Sequence, residues 1–135
     1  MDVSADALKR AILDFEKYPK FVSEVVSAKP HEKKNDGTQL VEFELEVLKR
    51  FQYTLEFDLT EDDVIRWRLI DSNFFTSNEG AWKLTSLGKN KTGVVYELDV
   101  GVKFLIPSWV AKKLTEVNLP RLLESFEARA KKIQG

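Results

Sequence analysis

The sequence contains no cysteine and one histidine among 135 residues. Without thiolates, zinc-finger, iron–sulfur, redox-dithiol and cysteine-nucleophile chemistries are excluded, although the absence does not choose between cytosol and periplasm. The one histidine, His31, lies beside Pro30 and the polar run Glu32-Lys33-Lys34-Asn35. It has no second metal-spaced histidine, and a surface position is expected for it. Long apolar runs are also missing. None exceeds three residues, as in Ala11-Ile12-Leu13 and Phe104-Leu105-Ile106, so neither a membrane span nor a secretory signal is expected. A soluble, cytoplasmic chain follows as the expectation.

Charge of one sign is not in excess: 21 Lys and Arg stand against 22 Asp and Glu, a formal charge of −1. No overall field draws the chain to phosphate backbones, and DNA is not expected as a partner. The six glycines are dispersed, and Gly88-Lys89-Asn90-Lys91-Thr92-Gly93 reads as a hairpin rather than a phosphate loop. Glu61-Asp62-Asp63 lacks the glycine and spaced acids of a calcium loop, so a solvated turn is expected, with no metal and no cofactor. The four prolines, at positions 19, 30, 107 and 120, mark no linker. Residues 1–135 therefore read as one domain.

Hydrophobic periodicity is what the sequence does have. Ser4 is a candidate N-cap for a helix carrying Ala5, Leu8, Ile12 and Phe15 at helical spacing, with Asp6 in its first turn. Tyr18-Pro19 is expected to interrupt it, and Lys20-Phe21-Val22 to add one further turn. From Val25 to about Lys103 the period becomes two. After the turn signal Asn35-Asp36-Gly37, Val41, Phe43, Leu45 and Val47 face one way and Glu42, Glu44 and Glu46 the other. Phe51, Tyr53, Leu55, Phe57 and Leu59 form the next apolar face, followed by Ile65, Trp67 and Leu69, then Trp82 and Leu84, then Val94, Tyr96, Leu98, Val100 and Val102. Arg66 and Arg68 point to solvent by alternation, and the charges of successive strands alternate in a way that cross-strand pairing explains.

From Pro107 to Gln134 the helical period returns, with Ser108 as N-cap and Trp109, Val110, Leu114, Val117, Leu122, Phe126, Ala130 and Ile133 on its apolar stripe. Pro120 predicts a kink, or a second helix begun by Asn118 as cap. Lys131-Lys132 and Gly135 mark its end. The late basic residues Lys112, Lys113, Arg121, Arg129, Lys131 and Lys132 could touch a ribosome or a membrane surface. Because Glu116, Glu124 and Glu127 are interspersed, the polar face of an amphipathic helix is the preferred reading.

These patterns predict an α+β fold: two short N-terminal helices, then a curved antiparallel sheet of about six strands wrapped around a long C-terminal helix. If curvature holds sheet and helix apart, an apolar cavity remains between them. Its candidate ligand-binding residues are Tyr18, Phe21, Phe43, Tyr53, Phe57, Trp67, Trp82, Tyr96, Trp109 and Phe126. Tyr53, Trp67 and Tyr96 are preferred because a buried polar tip could orient a ligand carbonyl. The inward positions offer no histidine or carboxylate, so no catalytic residue is assigned.

Four segments carry a family resemblance: Asp14-Phe15-Glu16-Lys17-Tyr18-Pro19-Lys20-Phe21, Gly80-Ala81-Trp82-Lys83-Leu84, Thr92-Gly93-Val94-Val95-Tyr96 and Ser125-Phe126-Glu127-Ala128-Arg129-Ala130. Together they resemble the coenzyme Q-binding and ribosome-association-toxin branch of the polyketide cyclase/dehydrase group, in the START and birch-pollen-allergen superfamily. The resemblance implies a helix-grip fold with a hydrophobic cavity under the last helix, used for lipids, quinones and polyketides. Members begin with a strand that is here missing or reduced to Met1-Asp2-Val3, which would leave a strand edge open to weak dimerisation. Binding or carriage of a small hydrophobic molecule is the implied function. The alternatives are a polyketide cyclase or dehydrase and a ribosome-associating protein.

Overall fold

The structure, a computed structural model, describes residues 1–46 and 49–135; the side chains of Leu114 and Thr115 are also outside the described set. The sequence positions Val47 and Leu114 assigned to apolar faces therefore fall outside the described residues or side chains. Ser4 caps α1 (Ala5–Leu13), its Oγ accepting from the Ala7 N–H at 3.1 Å. Ala7, Leu8, Ala11 and Ile12 form the buried stripe.

The helix does not reach Phe15 as the spacing suggested. Asp14 leaves helical backbone at φ −86°, ψ 63°, and Phe15 is buried from a separate 3-10 turn, Phe15–Lys17. Pro19 breaks nothing either: it sits in the first turn of α2 (Tyr18–Phe21), where its missing N–H has no helical partner to lose.

The period-two region folds into β1 (Val25–Pro30), β2 (Thr38–Glu46), β3 (Arg50–Glu61), β4 (Val64–Ser72), β5 (Phe75–Gly88) and β6 (Lys91–Val102). They form one antiparallel sheet in sequential order. Gly37 turns the chain between β1 and β2 at φ +86°, a left-handed backbone that favours glycine.

On the solvent face the charges pair across strands as their alternation implies. Arg68 Nε meets Glu56 Oε1 at 2.9 Å and Lys83 Nζ meets Glu97 Oε1 at 2.6 Å. The basic partner of each pair is exposed to solvent, so each pair contributes about 1 kcal/mol or less. His31 is on this surface too, its Nε2 2.7 Å from Glu42 Oε2.

Past β6, α3 (Ser108–Lys113) runs into a π-helical turn, Leu114–Asn118, and then into α4 (Leu119–Gln134). The discontinuity expected from Pro120 is the π turn that precedes it. Pro120 lies in the first turn of α4, where proline is tolerated. Asn118 is not the cap: its backbone is already helical at φ −70°, ψ −41°, and its side chain makes no capping bond.

Helix α4 lies over the concave face of the sheet and buries Phe126 and Ala130, while α1 packs alongside it. The first residues pair with the start of β6. The Met1 amino group donates to Thr92 O, the Thr92 N–H donates to Met1 O, both at 2.9 Å, and the buried Thr92 hydroxyl donates to Val3 O at 2.8 Å. This is the helix-grip architecture. Among the described residues, no helix is long and apolar enough to cross a membrane.

Candidate ligand cavity

Antiparallel register brings the inward aromatics of neighbouring strands into contact. Phe43 pairs with Tyr53, Phe57 with Trp67, and Trp82 with Tyr96. Their ring centroids lie 5.2, 6.1 and 4.8 Å apart. Such pairs prop the two layers apart as well as holding neighbouring strands together. Beneath α4 they leave a cavity of about 310 Å³ whose wall is almost wholly apolar.

The Trp67 indole shapes the floor. It lies across β5 at Gly80, where a Cβ would stand 2.6 Å from Trp67 Cζ2 and 2.1 Å from the Glu97 carbonyl oxygen of β6. The indole N–H donates to Asn78 Oδ1 at 3.1 Å. Since an indole can only donate, this bond fixes the Asn78 amide and leaves its NH2 as a donor.

Eight of the aromatic candidates line the cavity: Tyr18, Phe43, Tyr53, Phe57, Trp67, Trp82, Tyr96 and Phe126. Phe21 stands outside it, edge-on to Tyr18 and Phe126, with the Arg129 guanidinium 5.5 Å from its ring centroid. Arg129 thereby covers an aromatic surface instead of standing free on the polar face. Trp109 is corrected outright. It is 63% exposed on α3, because the π turn rotates α3 out of register with the stripe that α4 presents to the sheet. Val117, in the π turn, is likewise exposed.

Several lining residues had no signal as such in the sequence. Phe75 and Asn78 belong to the first half of β5, where Asn78 and Gly80 occupy inward positions and erase the apolar alternation. Asn118 faces the cavity from the π turn, and its Oδ1 is buried without a hydrogen-bond partner. A carboxylate, Glu24, also borders the space, contrary to the expectation of an inward surface without one.

The three lining tyrosines differ in chemistry. Tyr18 spends its hydroxyl on the Ile12 carbonyl. Those of Tyr53 and Tyr96 donate to no protein group among the described residues and are free to donate to a guest. Burial pushes all three phenols well above their ordinary range; for Tyr18 and Tyr53 the charges of neighbouring tyrosines add to this.

The folded state therefore holds these protons after the unfolded chain has lost its own near pH ~10. Stability is fully present below that value and falls as pH rises above it, by up to ~1.4 kcal/mol per pH unit for each tyrosine. Urea melts between pH 8 and 12, paired with phenolate absorbance, should show ionisation coinciding with unfolding. Phenols that titrate normally in a folded chain would contradict their burial.

Residues 1–127 match the family described as polyketide cyclase / dehydrase and lipid transport. The chain belongs to this family. No curated sequence matches it at a significant level. The fold is similar to a START superfamily protein from Mycobacterium smegmatis (TM-score 0.86, 24% identity, covering 98% of this chain and 93% of that one). It is also similar to the Zhui aromatase/cyclase from Streptomyces sp. R1128 (0.77, 18%, 98% and 87%). A STAR-related lipid transfer protein from Xanthomonas axonopodis is similar as well (0.75, 14%, 97% and 81%). Likenesses at such identities establish the shared fold, and the cavity's own chemistry carries the argument from there.

Proposed function

We propose that this family member binds, and carries, a small hydrophobic molecule bearing at least one oxygen acceptor, held between the concave sheet and α4. The observation that supports the reading is the apolar cavity of about 310 Å³ with the Tyr53 and Tyr96 phenols on its wall. Its size is at the lower end of the ~300–1,000 Å³ range of small-molecule sites, which favours one ring system or one chain over a large lipid. Removing apolar surface from water contributes about 25 cal/mol per Å² before association costs, while the phenols and the Asn78 amide orient the oxygen end. A quinone or a polyketone suits such donors, and the quinone-binding branch suggested by residues 14–21 and 125–130 makes a quinone the first candidate to test.

Cyclase or dehydrase chemistry needs a group that removes a proton. Neutral phenols do not do this near pH 7, and Glu24 is the sole carboxylate among the described lining residues. Binding is therefore the better-supported reading. Organic extraction of the chain purified from its native host, followed by mass spectrometry, tests it. The expected result is a near-stoichiometric apolar compound with a carbonyl or ether oxygen. An empty extract together with no thermal shift from a panel of quinones, fatty acids and polyketones would count against it.

Tyr53→Phe and Tyr96→Phe should each weaken binding of an oxygen-bearing guest by ~5-fold to ~10-fold, the value of one hydrogen bond, and leave a hydrocarbon of similar size unaffected. Calorimetric titration of the two guest types against both variants provides the check. Equal losses for both guests would mean that the hydroxyls do not orient the ligand.

A further inference from the structure

The connection from β6 to α3 projects Phe104 and Leu105 into solvent and the start of α3 projects Trp109, with exposures of 55%, 103% and 63%. Single exposed apolar residues are ordinary on a protein surface, but three large ones within six residues of a protruding segment are not. Residues 103–113 also carry Lys103, Lys112 and Lys113 and no acidic residue, in a chain whose formal charge is −1. Lys49, between β2 and β3, adds a fourth cation, its Nζ 5.1 Å from the Phe104 ring centroid.

The patch has a defined place in the fold. Strand β6 ends at Val102, and the residues just before it, Leu98 and Val100, line the cavity yet are 43% and 46% exposed. On the other side α3 leads through the π turn to Asn118 and Leu119, which also line it. The apolar, lysine-bearing segment therefore joins two parts of the cavity wall at the cavity's open end.

The geometry points to this segment as a docking surface that seats the cavity mouth on an anionic lipid bilayer. Leu105 and Phe104 enter the acyl boundary, Trp109 takes the headgroup level, and Lys113 and Lys49 bring ammonium groups to the lipid phosphates, while Lys103 donates to the Ser72 carbonyl at 2.8 Å and adds its charge at the rim. A protein partner is the weaker fit. The segment joins exposed apolar side chains to cations and carries no acidic residue, a combination that acyl chains and anionic headgroups meet together. A guest that leaves through the mouth then passes into lipid without crossing water. The docking itself is read without any guest, so its failure is separable from a failure of the cavity reading.

The test is co-sedimentation of the full chain with phosphatidylcholine vesicles, with and without about 30% phosphatidylglycerol, at about 50 mM and about 500 mM salt. Binding is expected to the anionic vesicles at low salt, at least ~10-fold weaker to neutral vesicles or at high salt. Leu105→Glu should lose at least ~10-fold in binding with an unchanged melting temperature, because the native side chain is wholly exposed. Tryptophan emission should shift to the blue on vesicles and cease to do so in Trp109→Phe, since Trp67 and Trp82 are buried. Absence of low-salt binding to anionic vesicles, or equal binding by Leu105→Glu, overturns the inference. So does a concentration-dependent dimer abolished by Leu105→Glu without vesicle binding, which would assign the patch to a second copy of the chain.

Discussion

Gly80→Ala is expected to cost the fold about 3 kcal/mol or more, or to prevent it from forming. The added methyl would stand 2.1 Å from the Glu97 carbonyl oxygen, a backbone atom of the adjacent strand that cannot swing away. It would also meet the Trp67 indole, which is tethered to Asn78 and packed against the Phe57 and Tyr96 rings. Relief requires the β5–β6 ladder to shift or the indole to leave the cavity floor. Gly93→Ala is the matched control in the same sheet. There a Cβ would meet Leu87 Cδ1 at 3.4 Å, an ordinary contact, and the change should stay below about 1 kcal/mol. Urea unfolding followed by tryptophan fluorescence separates the two variants. Similar midpoints would show that Trp67 does not lie across β5.

Phe126→Ala should destabilise by ~3–5 kcal/mol in the same assay. Phe126 is the ring that fastens α4 to the rest of the structure. It packs edge-on against Tyr18 and Phe21 from the N-terminal helices, at 5.2 Å each, and against Trp82 from the sheet at 5.1 Å. Truncation removes a fully buried ring and three oriented aromatic contacts, and next to an existing cavity the neighbours have little reason to close in. Phe126→Leu, which keeps most of the volume, should lose less than half as much. A loss below about 1 kcal/mol for the alanine variant would mean that α4 is held mainly elsewhere.

Most of the sheet was readable because its inward positions are largely apolar and alternate with polar ones over runs such as Val41-Glu42-Phe43-Glu44 and Ile65-Arg66-Trp67-Arg68. Polarity of that kind permits one facing only, since a slip of one residue would bury every charge. The first half of β5 was not readable. Its inward residues, Asn78 and Gly80, are there because the Trp67 side chain from β4 occupies the space and needs both a hydrogen-bond acceptor and a bare backbone.

Helix ends were the other weak point. Phe15 and Trp109 both continue a helical spacing. Asp14 and the π turn break the helix on the near side of each, so that Phe15 is buried from a different turn and Trp109 is carried outward. Neither break has a local sequence signal as strong as the periodicity it interrupts. Of the cavity itself, the apolar walls could be read, whereas Asn118 could not. Its position follows from the π turn, and an asparagine two residues ahead of Pro120 points equally well to a cap.

The most direct measurement of the central claim is fluorescence titration of the chain with anilinonaphthalene sulfonate, compared with its Leu98→Trp variant. Leu98 lines the mouth and is partly exposed, so the larger ring can occupy cavity space without displacing the core. The account predicts saturable one-site binding to the native chain and a loss of at least ~10-fold in the folded variant, about 1.4 kcal/mol. No saturable binding by the native chain, or equal binding by the two, would contradict it.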